Sequence, residues 1–249
     1  MSPAPKRKAS SKSGAAKTVA GSGRGFQQGP MYSWDGWLLT PEGAAVHERE
    51  ELAVIADVHL GYEWARGEGG DCVPEHSLRE TIAKLSTMLT RATIRRLVVA
   101  GDLVESHRPC PRTAKDVRGL RDWLAERGVT ISLVAGNHDR AWSKGMPRTF
   151  EVDGWTIAHG HEPVSAPKTI TGHIHPVLRA SGLTAPCFLV GPTRIVLPAF
   201  SLNAAGWNVV NAALPSALKA DPLRCVAGVG MELLDFGPVA ALGQALAGA

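Results

Sequence analysis

The segment Leu52-Ala53-Val54-Ile55-Ala56-Asp57-Val58-His59 joins a continuous apolar run to two side chains that can bind a metal ion. A run of this kind predicts a strand buried on both faces, as in a parallel sheet covered by helices. The same arrangement recurs along the chain, since residues 97–100 precede Gly101-Asp102 and residues 129–134 precede Ala135-Gly136-Asn137. The sequence therefore predicts parallel strands whose carboxyl ends carry polar side chains.

Two segments between these strands have helical periodicity, residues 76–91 and residues 113–127. The apolar residues that mark one face of each are Leu78, Ile82, Leu85 and Leu89 in the first segment, and Val117, Leu120 and Leu124 in the second. Strands that alternate with helices predict an α/β layer structure with right-handed crossovers.

Strands are also predicted on either side of this region. Residues 37–39 and 44–47 flank a turn and predict a hairpin. Two further apolar runs, 155–158 and 168–171, end in His159 and in Gly172-His173. The segments 186–190, 194–199 and 224–236 predict strands with no strong helix between them.

The basic charge of the chain is concentrated at its beginning. Residues 1–30 hold six basic residues and no acidic one, whereas the other 219 residues hold 21 basic and 23 acidic residues, a balance of −2. We expect residues 1–30 to be a disordered basic tail, because they contain few large apolar side chains, and residues 31–249 to form one domain. The tail can attract polyanions through phosphate contacts, or it can serve only to keep the protein soluble.

Cysteine content and hydropathy indicate the compartment. The four cysteines are far apart in sequence and form no closely spaced pair, which disfavours a disulfide framework or a cysteine zinc site: Cys72, Cys110, Cys187 and Cys225. The sequence has no apolar run of about 18 residues and no apolar stretch typical of a secretory signal at its beginning. We expect a cytoplasmic protein that does not associate with membranes.

Five short segments carry side chains that can bind metal ions. They are Asp57-Val58-His59, Gly101-Asp102, Gly136-Asn137-His138-Asp139, His159-Gly160-His161 and Gly172-His173-Ile174-His175. Each segment alone could be a turn, a helix cap or a surface loop. Together, each after a predicted strand, they predict one metal site at the carboxyl ends of the strands. Imidazole and carboxylate donors suit Mn, Fe or Zn, and we expect the adjacent glycines to leave room for a substrate.

The order of these segments resembles the signature of calcineurin-like metallophosphoesterases, and the resemblance covers residues 57–175. It implies an α/β fold, a four-layer α-β-β-α sandwich of two mixed sheets flanked by helices. It also implies a phosphoester hydrolase with two divalent metal ions, first of all Mn²⁺, with Fe and Zn as alternatives.

The resemblance implies a role for each matching residue. Asp57, His59 and His175 would hold the first ion, Asn137, His159 and His173 the second, and Asp102 would bridge both. A hydroxide activated by the two metals would attack phosphorus in line with the leaving oxygen. His138 would be the general acid or would stabilise the charged transition state, with Asp139 orienting its ring. The alternative is that His138 serves only as a hydrogen-bond donor beside the ligands.

Three phrases resemble a narrower group, the small ligase-associated phosphoesterases, one branch of which is known as a DNA-damage-response endonuclease. They are Asp57-Val58-His59-Leu60-Gly61-Tyr62-Glu63, Gly172-His173-Ile174-His175-Pro176 and Leu197-Pro198-Ala199-Phe200. This resemblance extends over residues 31–236. It implies a phosphodiesterase or nuclease that acts on DNA in repair, in association with DNA ligase or helicase repair proteins.

Two other functions remain as alternatives, a phosphodiesterase or phosphatase for small molecules such as nucleotides, and a non-catalytic scaffold with the same fold. The complete set of ligands disfavours the scaffold. His161 can face the substrate or be structural. Tyr62, Glu63 and Arg66 are expected in a Gly-rich loop, where Arg66 either contacts a substrate phosphate or is solvated. The oligomeric state has no sequence signal.

Overall fold

The computed structural model describes residues 31–140, 142, 144–180, 182–210, 213–216, 218–219 and 221–243, and the backbone alone of residues 18–19 and 217. Two mixed β-sheets pack face to face in it. The prediction of a disordered tail at residues 1–30 lies outside the described residues, apart from Thr18–Val19, whose backbone pairs antiparallel with Met31 and Tyr32. Every helix of the described residues is too short or too polar to cross a lipid bilayer.

The first sheet has seven strands in chain order: β1 (Thr18–Val19), β2 (Met31–Trp34), β3 (Trp37–Leu39), β4 (Ala45–His47), β5 (Leu52–Ile55), β6 (Arg96–Ala100) and β7 (Thr130–Val134). Strands β1 to β5 are antiparallel, and β5, β6 and β7 are parallel, with Val54 opposite Val98 and Val98 opposite Ser132. The predicted hairpin and the three predicted parallel strands are confirmed. Strand β2 is an additional strand that the sequence analysis did not identify.

Three α-helices lie in the first half of the chain: α1 (Tyr62–Glu68), α2 (Ser77–Arg91) and α3 (Pro111–Ala125). Helices α2 and α3 follow β5 and β6 in sequence and confirm the predicted crossovers. The loop predicted at Tyr62, Glu63 and Arg66 is wrong, because these residues form α1. Glycines at 67 and 69 concealed this helix, since glycine disfavours a helix interior and the helix is only seven residues long.

The second sheet is built from nine strands: β8 (Thr149–Val152), β9 (Trp155–Ala158), β10 (Thr169–Thr171), β11 (Pro176–Ala180), β12 (Leu183–Gly191), β13 (Arg194–Val196), β14 (Trp207–Asn208), β15 (Arg224–Val229) and β16 (Glu232–Pro238). The order is β14-β11-β12-β13-β10-β9-β8, with β15 pairing to β12 and β16. Strands β9, β10 and β13 are parallel, whereas β8, β12, β15 and β16 pair antiparallel with their neighbours. The predicted strand at 224–236 is therefore a hairpin.

The core lies in three layers. Trp37, Leu39 and Val54 from the first sheet meet Ile157 and Phe188 from the second, all of them buried between the sheets. Other clusters lie under α2 and α3 and on the outer face of the second sheet. The predicted sandwich of two mixed sheets is confirmed.

The outer layer of the second sheet differs from the layer over the first. Among the described residues it contains the 3₁₀ turns Ser216–Leu218 and Val239–Ala241 and irregular segments, where Val209, Leu218 and Leu242 are buried. The sandwich implied by the resemblance has helices at this position. Much of the second sheet is antiparallel, and antiparallel strands need only short turns between them, whereas the parallel strands β5, β6 and β7 need long crossovers.

Candidate metal centre

The five predicted segments meet at one edge of the sandwich. Three of them follow β5, β6 and β7 of the first sheet, and two follow β9 and β10 of the second. Backbone hydrogen bonds continue between the segments beyond the strands, from Val58 N–H to the Asp102 carbonyl at 2.9 Å and from Gly172 N–H to the His159 carbonyl at 3.0 Å. The predicted convergence of distant residues is therefore a feature of this fold.

Asp57, His59 and His175 form one set of donors. Each offers an atom within 4.8 Å of the other two, and Asp57 Oδ1 lies 3.2 Å from His175 Nε2. Asp57 Oδ1, both ring nitrogens of His59 and His175 Nε2 are buried without a hydrogen-bond partner in the described part of the chain. An unsatisfied buried polar atom costs on the order of 1–3 kcal/mol. A cation among these atoms would remove that cost, so the set fits a metal ion.

Asp102, His159 and His173 form the second set, with Asn137 beside them. The Nδ1 atom of His159 bonds to the Ala100 carbonyl at 3.1 Å, which leaves Nε2 facing the other donors. That nitrogen lies 2.9 Å from Asn137 Oδ1, 3.2 Å from Asp102 Oδ2 and 3.2 Å from His173 Nδ1. Carbonyl and carboxylate oxygens only accept hydrogen bonds, so this arrangement favours a cation, either a proton on His159 or a metal ion.

The electrostatics of the second set also favour positive charge. Burial lowers the pKa of His159, but the hydrogen bond to Asp102 and the charge of Asp57 outweigh it, so the pKa lies above its usual value. Burial raises the pKa of Asp102, yet the contacts with His159 and with the backbone N–H of His138 bring it to about 2. Asp102 is therefore an anion at neutral pH, as a metal ligand must be.

The backbone is unusual at the proposed ligands. Positive φ angles occur at Asp57 (56°), His59 (52°), Asp102 (50°), His173 (74°) and His175 (47°). The other described non-glycine residues with positive φ all lie in turns, at Asp35, Glu51 and Asp153. Such conformations cost on the order of 1–3 kcal/mol each and cluster at functional sites. Since few residues adopt them, this pattern identifies the same side chains independently of the sequence motif.

Gly136 and Gly172 lie against carboxylates of the donor sets, and their lack of a side chain makes room for these carboxylates. A Cβ atom at Gly136 would lie 2.1 Å from Asp102 Oδ1, and one at Gly172 would lie 2.4 Å from Asp57 Oδ2. The expectation that these glycines leave room for a substrate is thus wrong at both positions. The space is filled by a carboxylate from the neighbouring segment.

His138 lies beside the ligands, but Asp139 does not orient its ring. The His138 backbone N–H donates to Asp102 Oδ1 at 2.8 Å, and its ring Nδ1 bonds to the carbonyl of Glu105. The carboxylate of Asp139 is buried and accepts from the backbone N–H groups of Val104 and Gly136, at 3.2 and 3.1 Å. The predicted contact between Asp139 and the ring is therefore wrong, and Asp139 instead connects the segments after β6 and β7.

Glu105 is a residue that the sequence analysis missed. Its carboxylate lies 2.9 Å from His59 Nδ1, although the approach is too oblique for a hydrogen bond. Glu105, His59 and His138 also offer donor atoms within 4.8 Å of one another. In the sequence, Glu105 is only an acidic residue three positions after Asp102. In the structure, its backbone N–H donates to the Leu60 carbonyl.

The remaining candidates are placed as follows. The ring of His161 lies 5.1 Å from that of His159 and borders a cavity of about 340 Å³ together with Arg148. Burial, with a smaller effect from His159, lowers the pKa of His161. Arg66 is half exposed and pairs with Asp71, as the solvated alternative expects. Glu63 is buried and accepts from two N–H groups at the start of α2.

No family model matches the chain. Over 101 residues the chain is 32% identical to the DNA double-strand break repair protein Mre11 of Methanopyrus kandleri, a match that covers 41% of this chain and 22% of that protein. The chain thus spans about a fifth of the length of this curated relative.

The crystal structure of Pseudomonas putida nuclease MPE has the same fold. It matches with a TM-score of 0.63 at 20% identity and covers 88% of this chain and 100% of that chain. The shared fold, the likeness to Mre11 over 101 residues and the signature segments gathered at one edge agree with the resemblance to calcineurin-like metallophosphoesterases.

Proposed function

We propose that the chain is a metal-dependent phosphodiesterase whose substrate is nucleic acid. The observation that carries the proposal is the environment of His159 Nε2. Asn137 Oδ1 lies 2.9 Å and Asp102 Oδ2 lies 3.2 Å from this nitrogen, and neither oxygen has a proton to donate. Such a cluster binds cations, and metallophosphoesterases use cations to hydrolyse phosphate esters. The ligand assignment follows the two donor sets.

In this assignment Asp57, His59 and His175 would hold one ion, Asn137, His159 and His173 would hold the other, and Asp102 would contribute to both. Bound divalent ions lower the pKa of a water molecule and neutralise charge on phosphoryl oxygens, which suits Mn²⁺, with Fe and Zn as alternatives. The bridging role of Asp102 is supported by its burial and ionisation.

His138 is the proposed general acid. Hydrolysis forms a bond between a water oxygen and phosphorus and breaks the ester P–O bond, and the leaving oxygen must gain a proton. The Nδ1–H group of the His138 ring donates to the Glu105 carbonyl, so Nε2 is the atom that gives a proton when the ring is in its imidazolium form. The backbone N–H of His138 bonds to Asp102 and holds the ring beside the ligands.

Nucleic acid is proposed as the substrate because the two similar proteins are a DNA double-strand break repair protein and a nuclease. The resemblance to ligase-associated phosphoesterases adds a role in DNA repair and association with DNA ligase or helicase proteins. The six basic residues before residue 31 could contribute phosphate contacts.

A second candidate is a phosphodiesterase for small nucleotides. Residues 31–249 have a net charge of −2, which favours a small substrate over a long polyanion. The rate constants for oligonucleotides and for cyclic or dinucleotide substrates would separate the two candidates.

The test uses the full chain reconstituted with Mn²⁺ and the chromogenic diester bis(p-nitrophenyl) phosphate. Asp102→Ala and His173→Ala are expected to lose at least about 100-fold in kcat/KM, because each removes a ligand. Asp122→Ala is the matched control, since Asp122 is exposed, lies in α3 and belongs to no donor set. Unchanged activity in both ligand variants would contradict the assignment, and a preference for small nucleotides over DNA would favour the second candidate.

A further inference from the structure

A cavity of about 200 Å³ opens directly beside the first donor set. Its inner wall is formed by His59, Glu105, His138 and His175, and its outer wall by Tyr62, Ser201, Asn203, Ala204 and Ala205. A group esterified to a phosphate at the metal centre would extend into this space. Since His138, the proposed acid, borders the cavity, the group concerned is the one that leaves.

The outer wall is neutral and polar. Neither lysine nor arginine borders the cavity, and the side chains beyond the inner wall that can hydrogen-bond are Tyr62, Ser201 and Asn203. A second phosphate group would find no cation there. The cavity is smaller than the roughly 300–1,000 Å³ of sites for drug-sized ligands, so it suits a single neutral unit built on one ring system.

The side chain of Asn203 is held in place. Its Oδ1 lies 3.0 Å from His76 Nε2, and the Nδ1 of the same histidine lies 2.6 Å from the Pro74 carbonyl. The backbone N–H of Asn203 donates to Ser201 Oγ at 3.2 Å. The Nδ2 group has no partner among the described residues, and neither has the Tyr62 hydroxyl, whose ring meets the His76 ring edge to face at 6.3 Å. The Asn203 Nδ2 group and the Tyr62 hydroxyl are therefore held in position and available to hydrogen-bond a ligand.

The rest of the outer wall is small. Ala204 and Ala205 leave width in the cavity. A flat ring in the cavity would accept hydrogen bonds from Asn203 and Tyr62.

The preceding segment, Leu197-Pro198-Ala199-Phe200, places residues 201–205 beside the first donor set. Leu197 N–H donates to the Thr171 carbonyl at 2.7 Å, at the end of β10. Phe200 N–H donates to the Ala56 carbonyl at 2.8 Å, and Ser201 N–H to the Asp57 carbonyl at 3.0 Å. The segment thus crosses from the second sheet to the first and fixes residues 201–205 relative to a metal ligand.

We infer that Tyr62 and Asn203 form a binding subsite for a leaving nucleoside, with His76 positioning Asn203. This inference rests on the proposed diesterase activity and adds the specificity of the leaving side. A nucleobase has the required chemistry, since it is neutral, planar and bears hydrogen-bond acceptors.

The test compares dithymidine monophosphate with a matched diester in which the released thymidine is replaced by methyl. Chromatography of the products identifies the released thymidine. In Tyr62→Phe and in Asn203→Ala, the ratio of kcat/KM for the dinucleotide to that for the methyl diester is expected to fall about 5-fold each, through KM, because each loses one hydrogen bond. The double variant is expected to lose about 25-fold.

Met231→Ala changes an exposed apolar residue on the turn between β15 and β16 and should not change the ratio. Thermal unfolding shows whether each variant is folded. An unchanged ratio in Tyr62→Phe and Asn203→Ala, with both diesters cleaved, overturns the subsite alone. A wild-type protein that cleaves neither diester with any of Mn, Fe or Zn overturns the proposed function, and the subsite with it.

Discussion

His159 Nε2 lies 3.2 Å from Asp102 Oδ2, and the two side chains come from different sheets. Asp102 follows β6 of the first sheet and His159 follows β9 of the second, and both are buried. The donors of the second set are therefore held at their distances by the packing between the sheets. An ion bound there would connect the two halves of the sandwich, so metal binding should affect stability as well as activity.

Divalent ions are expected to stabilise the wild-type protein against heat. A ligand at 100 times its Kd stabilises the native state by about 2.7 kcal/mol, which corresponds to roughly 5–10 °C for a domain of this size. Differential scanning fluorimetry with MnCl₂ and with EDTA measures the shift. In Asp102→Ala most of the shift should disappear, whereas exposed Asp122→Ala should keep it. An equal shift in Asp102→Ala and wild type would mean that the ions bind elsewhere.

Gly136→Ala is expected to reduce activity at least about 100-fold while the protein remains folded. The added methyl group would lie 2.1 Å from Asp102 Oδ1 and 2.2 Å from the Asp102 backbone nitrogen, so both the carboxylate and the backbone of Asp102 must move. Gly67→Ala is the matched control, since a Cβ there meets nothing within 4 Å and the residue lies in α1. The control should be fully active and up to about 1 kcal/mol more stable, as measured by urea unfolding.

Removal of His138 distinguishes its two possible roles. If it is a general acid, His138→Ala should lose about 10²–10⁴-fold with a dinucleotide, whose leaving alkoxide needs a proton. The loss with bis(p-nitrophenyl) phosphate should be below about 10-fold, because nitrophenolate leaves without one. Parallel steady-state assays of the two substrates give the comparison. Equal losses would instead assign His138 to stabilising charge on the phosphate.

The sequence was sufficient for the elements whose pattern has a single interpretation. Continuous apolar runs at 52–56, 97–100 and 129–134 predicted β5, β6 and β7, because a run buried on both faces fits a parallel strand. Helix α1 was missed because its glycines resemble a loop signal. The outer layer of the second sheet was missed because irregular segments bury Val209 and Leu218 without any periodicity.

At the site, the sequence identified the residues but not the partner of each atom. The five segments were found because each polar group follows an apolar strand. Asp139 follows His138 directly, but the sequence cannot show that its carboxylate faces the backbone of Val104 and Gly136 instead of the ring. Glu105 was missed because a lone acidic residue on a loop has no distinguishing signal until the fold brings it near His59.

Lys84 should make stability depend on pH in a window above neutrality. Its amino group donates to the Phe200 carbonyl at 2.7 Å, and burial lowers its pKa from 10.5 to about 8. Between about pH 8 and pH 10.5 the unfolded chain keeps a proton that the folded chain has released, so the free energy of unfolding rises with pH across that window.

Lys84→Met removes this contribution and leaves other titrating groups in place. The difference in unfolding free energy, wild type minus Lys84→Met, is therefore expected to increase by about 2 kcal/mol between pH 7.5 and pH 10. Urea unfolding at several pH values measures it, with exposed Lys115→Met as the control that shows no such increase. A difference that stays constant or falls with pH would show that the amino group of Lys84 keeps its usual pKa. In that case burial would not control the charge of Lys84, whose amino group bonds to the carbonyl of Phe200.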